Sequence, residues 1–106
     1  MGKRKFIIEM LKDFRDKLSR DLPIKNIIFF GSRVKGKANK WSDIDLIIVS
    51  EKFRKLKFRK RATKMYDYWE IDLPVDFLCF TPEEFEREKK KIGIVKNAVK
   101  EGIELI

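Results

Sequence analysis

Apolar residues in the first part of the chain recur at three- and four-residue steps: Phe6, Ile7, Met10, Leu11, Phe14 and Leu18. That period puts them on one stripe of a helix, a core face, and the helix must end before Pro23, which has no N–H for the ladder. The pattern changes at 27–30, where Ile-Ile-Phe-Phe is continuously apolar, as in a buried strand. Residues 43–49 (Asp-Ile-Asp-Leu-Ile-Ile-Val) and 75–80 (Val-Asp-Phe-Leu-Cys-Phe) predict two more strands. Between them, 53–69 is dense in Lys and Arg with Phe58, Met65, Tyr66 and Trp69 interleaved, which predicts a helix with a basic outer face. Thr81, Pro82 and Glu84 have the spacing of an N-cap, a first-turn proline and a capping carboxylate, starting a helix that runs to about residue 91. Gly93 interrupts, 94–100 predicts a last helix turning at Gly102, and 103–106 a short strand or an interface. The expected fold is α/β: a small mixed β-sheet with helices packed on one face and an open cleft on the other.

Candidate chemistry gathers where the first two strands meet. Gly31 and Ser32 fall on the turn leaving the 27–30 strand, where free backbone N–H groups can face an anion. After ten intervening residues, Asp43 and Asp45 open the next strand. On a pleated strand both point to one face and Ile44 to the other, with Cα atoms roughly 6.5 Å apart. That reach suits one hard cation or a metal pair about 3.5–4 Å apart, and oxygen-only ligands favour magnesium or manganese over zinc. Asp76, flanked by apolar strand residues, supplies a third carboxylate if its strand neighbours theirs. Asp72 is the alternative third ligand, although it precedes Pro74 in a turn.

At these residues the chain resembles the DNA polymerase beta-type nucleotidyltransferase superfamily. Gly31-Ser32-Arg33, Gly36 and Ser42-Asp43-Ile44-Asp45-Leu46 are similar to its signature, in the short form of the minimal nucleotidyltransferase family. Thr81-Pro82-Glu83-Glu84-Phe85 and the stretch 98–106, with Lys100-Glu101-Gly102-Ile103-Glu104-Leu105, are similar to the family's closing segments, so the resemblance spans 24–106. It implies a polymerase beta palm-like fold. It further implies that Gly31, Ser32 and Arg33 hold the triphosphate of ATP or another nucleoside triphosphate. Asp43, Asp45 and Asp76 would ligate divalent metal, two Mg2+ ions with Mn2+ as an alternative, and Asp76 would help deprotonate the attacking hydroxyl. Lys35, Lys37 and Lys40 crowd the same loop as Arg33 and would steady phosphate oxygens. The implied role is the antitoxin of a toxin–antitoxin module, moving AMP from ATP to a tyrosine of a separately encoded HEPN-type ribonuclease toxin. Neutralisation of that partner by binding alone, and transfer to RNA or a small molecule, are the alternatives.

Composition narrows the setting. A chain of 106 residues predicts one domain, 1–106, with its acceptor supplied by a second component. The net charge of +9 favours anionic partners: nucleotide, nucleic acid or an acidic protein face. Nucleic acid at 53–69 is the less favoured of these, because charge without base-reading residues gives only non-specific attraction. A single cysteine, Cys79, excludes an internal disulfide and suggests a reducing compartment. No apolar stretch reaches membrane-spanning length and the charged start lacks a signal peptide's apolar core, so a cytoplasmic location without a membrane partner is expected. The absence of histidine removes the commonest general base and zinc ligand, leaving carboxylates for both tasks.

Overall fold

A computed structural model of the chain describes residues 3–37 and 42–106, the side chain of Lys3 excepted. Helix α1 spans Lys3–Asp21 and is followed by strand β1, Asn26–Phe30, the single helical turn α2, Ser32–Lys35, and strand β2, Ile44–Val49. A 3-10 turn, Glu51–Lys55, precedes helix α3, Phe58–Tyr66, and strand β3, Val75–Phe80. Helix α4, Pro82–Lys89, helix α5, Ile94–Glu101, and the short strand β4, Ile103–Glu104, complete the order. The four strands form one mixed sheet in the order β3-β2-β1-β4, with β1 antiparallel to β2 and β4, and β2 parallel to β3. The crossover that a parallel pair demands is supplied by the segment carrying α3.

Strand alternation divides the core in two. Ile27, Phe29, Ile44, Leu46, Ile48, Val75, Phe77 and Cys79 face α1, which contributes Ile7, Leu11, Phe14 and Leu18, and Met65 of α3. Ile28, Ile47, Val49 and Phe80 face the other way, onto Phe85 of α4 and Val95 and Ala98 of α5. The mixed α/β sheet is as expected, but its helices cover both faces rather than one. The reason lies in the strands: apolar at successive positions, they have two faces to bury.

Two local expectations also change. Phe6, counted in the α1 stripe, is 65% exposed. The basic segment is two pieces, broken at an extended Leu56. Phe53 and Met65 are both fully buried. On one straight helix they would point about 120° apart, so the break lets both reach the core.

Arg61, within that basic run, is buried. It donates to Cys79 O at 3.2 Å and Leu56 O at 3.2 Å, and pairs with Glu84 Oε1 at 2.5 Å. Glu84 in turn completes a capping box with Thr81 at the start of α4, as the Thr-Pro-x-Glu spacing predicted. Tyr66 donates its hydroxyl to Val75 O at 2.8 Å. Arg61 and Tyr66 thereby occupy outward carbonyls of β3, the edge strand, which would otherwise offer a template for pairing. At the far end, Gly102 lets α5 turn tightly into β4. A Cβ there would meet Ala98 O at 2.5 Å and Phe29 O at 2.9 Å.

Candidate active site

Sheet register assembles the carboxylates. Asp45 on β2 lies directly beside Asp76 on β3, and Phe30, the last residue of β1, lies opposite Asp45 on the other side. Alternation turns Asp45 and Asp76 to the same face as Ile47 and Leu78, beyond the part that α4 and α5 cover. Asp43 is exposed and sits just ahead of β2, which begins at Ile44 rather than at Asp43. Its charge nonetheless reaches Asp45. The Asp45 carboxyl titrates above the usual carboxylate range, first because of burial, then because of the negative charges of Asp76 and Asp43. Asp72, the alternative third ligand, is not beside the pair; it lies in the bend ahead of β3, on a cleft with Phe6, Ile7 and Met10.

The glycine turn is fitted to this group. Gly31 has φ +91° and ψ −160°, a conformation essentially restricted to glycine. A Cβ added there would overlap Asp45 Oδ2 and come within 3.1 Å of Cγ. The Gly31 carbonyl accepts from Val34 N at 3.1 Å and Lys35 N at 3.2 Å, closing the single turn α2. The N–H groups that open the turn, at Ser32 and Arg33, have no partner within it. Gly31 thus leaves open the space beside Asp45, with amide donors at its rim that have no partner among the described residues.

The basic residues of this loop go elsewhere. Arg33, expected at the phosphates, is buried and donates from Nε to Ser42 O at 2.9 Å, tying the segment after β1 to the segment entering β2. Lys35 pairs with Glu101 of α5 at 2.9 Å, an exposed bridge that also holds the Glu101 carboxyl below the usual range. Lys37 is exposed and Lys40 lies outside the described residues. Between α2 and α5 a cleft of about 180 Å³, lined by Phe30, Gly31, Val34, Asn97 and Ala98, has this bridge on its rim. Nothing in the sequence pointed to Asn97, and Glu101 stood out only within the closing segment 98–106, not as a site residue; the approach of both to Gly31 depends on how α5 packs on β1.

Among the described residues, no three His, Cys, Asp or Glu side chains form a ready-made metal cage. The donor set still suits a hard divalent cation. It is all oxygen, and Asp45, raised first by burial, is raised further by repulsion from Asp76 and Asp43, which a cation relieves.

A glycine turn set against paired carboxylates on neighbouring strands is the arrangement expected from the nucleotidyltransferase resemblance. Residues 11–103 match the family described as nucleotidyltransferase domain. The chain belongs to that family and is an enzyme of that class. It is 42% identical over 82 residues to a probable protein adenylyltransferase, MntA, of Haemophilus influenzae, an alignment covering 74% of this chain and 70% of the relative. The family read from the motif at 31–46 is therefore the one to which the chain belongs. A crystal structure of a candidate nucleotidyltransferase from Sulfolobus solfataricus aligns with a TM-score of 0.68 over 98% of this chain and 87% of its own, at 20% identity, and shares the fold. Among the described residues no helix is long and apolar enough to cross a membrane.

Proposed function

We propose that this chain is a Mg2+-dependent protein adenylyltransferase that moves AMP from ATP to a hydroxyl, a tyrosine, of a separately encoded HEPN-type toxin, and so acts in the cytoplasm as its antitoxin. The observation that carries this reading is the register of Asp45 beside Asp76, with Gly31 packed against Asp45. Support for a protein acceptor comes from the similarity to MntA.

In this mechanism the backbone N–H groups at Ser32 and Arg33 hold the β- and γ-phosphates. Asp43, Asp45 and Asp76 would hold the metal. Two bound Mg2+ ions would lower the pKa of the attacking hydroxyl and neutralise charge on the α-phosphate and the leaving pyrophosphate. Asp76 accepts the hydroxyl proton as the oxygen attacks the α-phosphorus; a phosphodiester forms, the α–β anhydride breaks and pyrophosphate departs. Arg33 acts as a positioning residue, holding Ser42, and with it Asp43, against the turn.

Label transfer tests the reading. The protein is mixed with magnesium, the protein encoded beside it, and ATP labelled at the α- or, separately, the γ-phosphate. Label on the neighbour from the α position alone supports adenylyl transfer. A stable complex without label would replace it with neutralisation by binding.

A further inference from the structure

Helix α3 lies along the free edge of β3. Arg61 reaches Cys79 O and Tyr66 reaches Val75 O, so the helix runs antiparallel to the strand and its C-terminal end lies at the end of β3 that carries Asp76. Lys60 and Lys64, four residues apart, share a side of the helix, and Lys57 is its N-cap. All three are exposed, as is Arg59, and α3 contains no carboxylate. Among the described residues none of these four cations pairs with an acidic side chain, whereas Lys35, Arg54, Lys89 and Lys91 are each matched by a glutamate. Phe58 and Tyr66, 56% and 49% exposed, stand at the two ends of the helix.

The direction of the reaction gives this face a role. In an in-line displacement the hydroxyl enters opposite the departing pyrophosphate. With the phosphates at Gly31, on the β1 side of Asp45, the entry side is the β3 side, past Asp76, and α3 borders it. We propose that the exposed face of α3, from Lys57 to Tyr66, docks the acceptor, and that the acceptor is a protein presenting an acidic surface beside its hydroxyl. This inference rests on the adenylyltransferase reading. The cations steer and orient an acidic partner, and the flanking aromatic rings provide the anchors that protein interfaces favour.

The probe is a fluorescein-labelled random copolymer of glutamate and tyrosine, acidic and rich in acceptor hydroxyls. Its anisotropy is followed near physiological salt with the unaltered protein, with Lys57→Glu/Lys60→Glu/Lys64→Glu, and with a charge-matched control, Lys5→Glu/Arg20→Glu/Lys96→Glu. The α3 variant should bind about tenfold more weakly, three exposed charge contacts being reversed, and the control no more than about twofold. Circular dichroism checks folding, and the milder Lys60→Gln/Lys64→Gln variant should show a smaller loss in the same direction. Equal binding by the α3 variant, an equal loss in the control, or no binding by the unaltered protein would overturn the proposal. So would an oligothymidylate that outcompetes the copolymer and is lost on the same reversal, which would assign the face to nucleic acid. Transfer of α-label from ATP into the copolymer is read in parallel. Intact binding with no label in any acceptor would remove the adenylyltransferase reading while leaving the docking face in place.

Discussion

Replacing Gly31 by alanine should separate backbone strain from active-site displacement, because a second glycine provides the control. Gly31 sits at φ +91° with Asp45 against it, while Gly36 sits at φ +76° with nothing within 4 Å of an added Cβ. Both substitutions place alanine in a conformation that L-residues avoid, at a cost of about 1–3 kcal/mol each. At roughly 4–8 °C per kcal/mol for a domain near this size, each variant should melt about 10 °C lower. Only Gly31→Ala pushes on Asp45. Ordinary van der Waals contact begins at 3.4 Å. To restore it the carboxylate must retreat by roughly 1 Å, a displacement that costs about 100-fold in rate. The assay is initial-rate transfer of α-label from ATP with magnesium, below the melting range of both variants. Gly36→Ala should keep transfer near the unaltered rate and Gly31→Ala should lose about two orders of magnitude. Equal activity in the two variants would refute the argument that Gly31 is required for the space it leaves beside Asp45.

Asp45→Asn should abolish AMP transfer and yet leave the metal-free protein as stable or more stable, since it removes a carboxylate that burial and two like charges disfavour; a lowered melting temperature in chelator would contradict this. The Glu84 carboxyl is held below its ordinary range chiefly by Arg61, so its stabilising effect is present above the unfolded carboxylate pKa, near 4.3, and is lost as pH falls through the lower folded value. Acid titration of unfolding should therefore be flatter for Glu84→Gln, and Arg61→Met, which strands Glu84, should cost on the order of 3 kcal/mol in urea unfolding. Burial pushes the Cys79 thiol up to about 12, against a small opposing effect of Arg61. Alkylation by iodoacetamide at mild alkaline pH should then proceed only through unfolding, accelerating with urea; rapid labelling of the native protein would place the thiol at the surface.

Much of this architecture is legible in the residues because it rests on local physics. The periodicity of α1, the apolar runs of the three long strands, the capping box at Thr81 and the turn at Gly31 depend on neighbours a few positions away. The strand position of Asp45 is equally local, whereas Asp43, expected on the same strand, lies just ahead of β2. Where long-range packing decides, the chain alone misleads or is silent. Arg33, Arg61 and Phe58 illustrate this. Two of a group of similar cations are buried, one holding Ser42 O and the other tying α3 to β3 and α4. Of the apolar residues interleaved in the basic segment, Met65 is fully buried while Phe58 stands half in solvent. Composition cannot distinguish these residues from their exposed neighbours, because burial of a guanidinium depends on which carbonyls and carboxylates the fold brings to it.

The sequence determined the three long strands, the capping box at Thr81, the glycine turn and the place of Asp45, since each follows from backbone sterics or from a period of two or 3.6 residues. The tertiary structure alone decided that β3 pairs parallel with β2 in the register that sets Asp76 beside Asp45, that helices cover both faces of the sheet, and that α3 lies along the β3 edge. The physical reason is common to all three: side-chain direction is inherited from the local backbone, but which side chains meet is settled by strand pairing and by the burial of every apolar face at once.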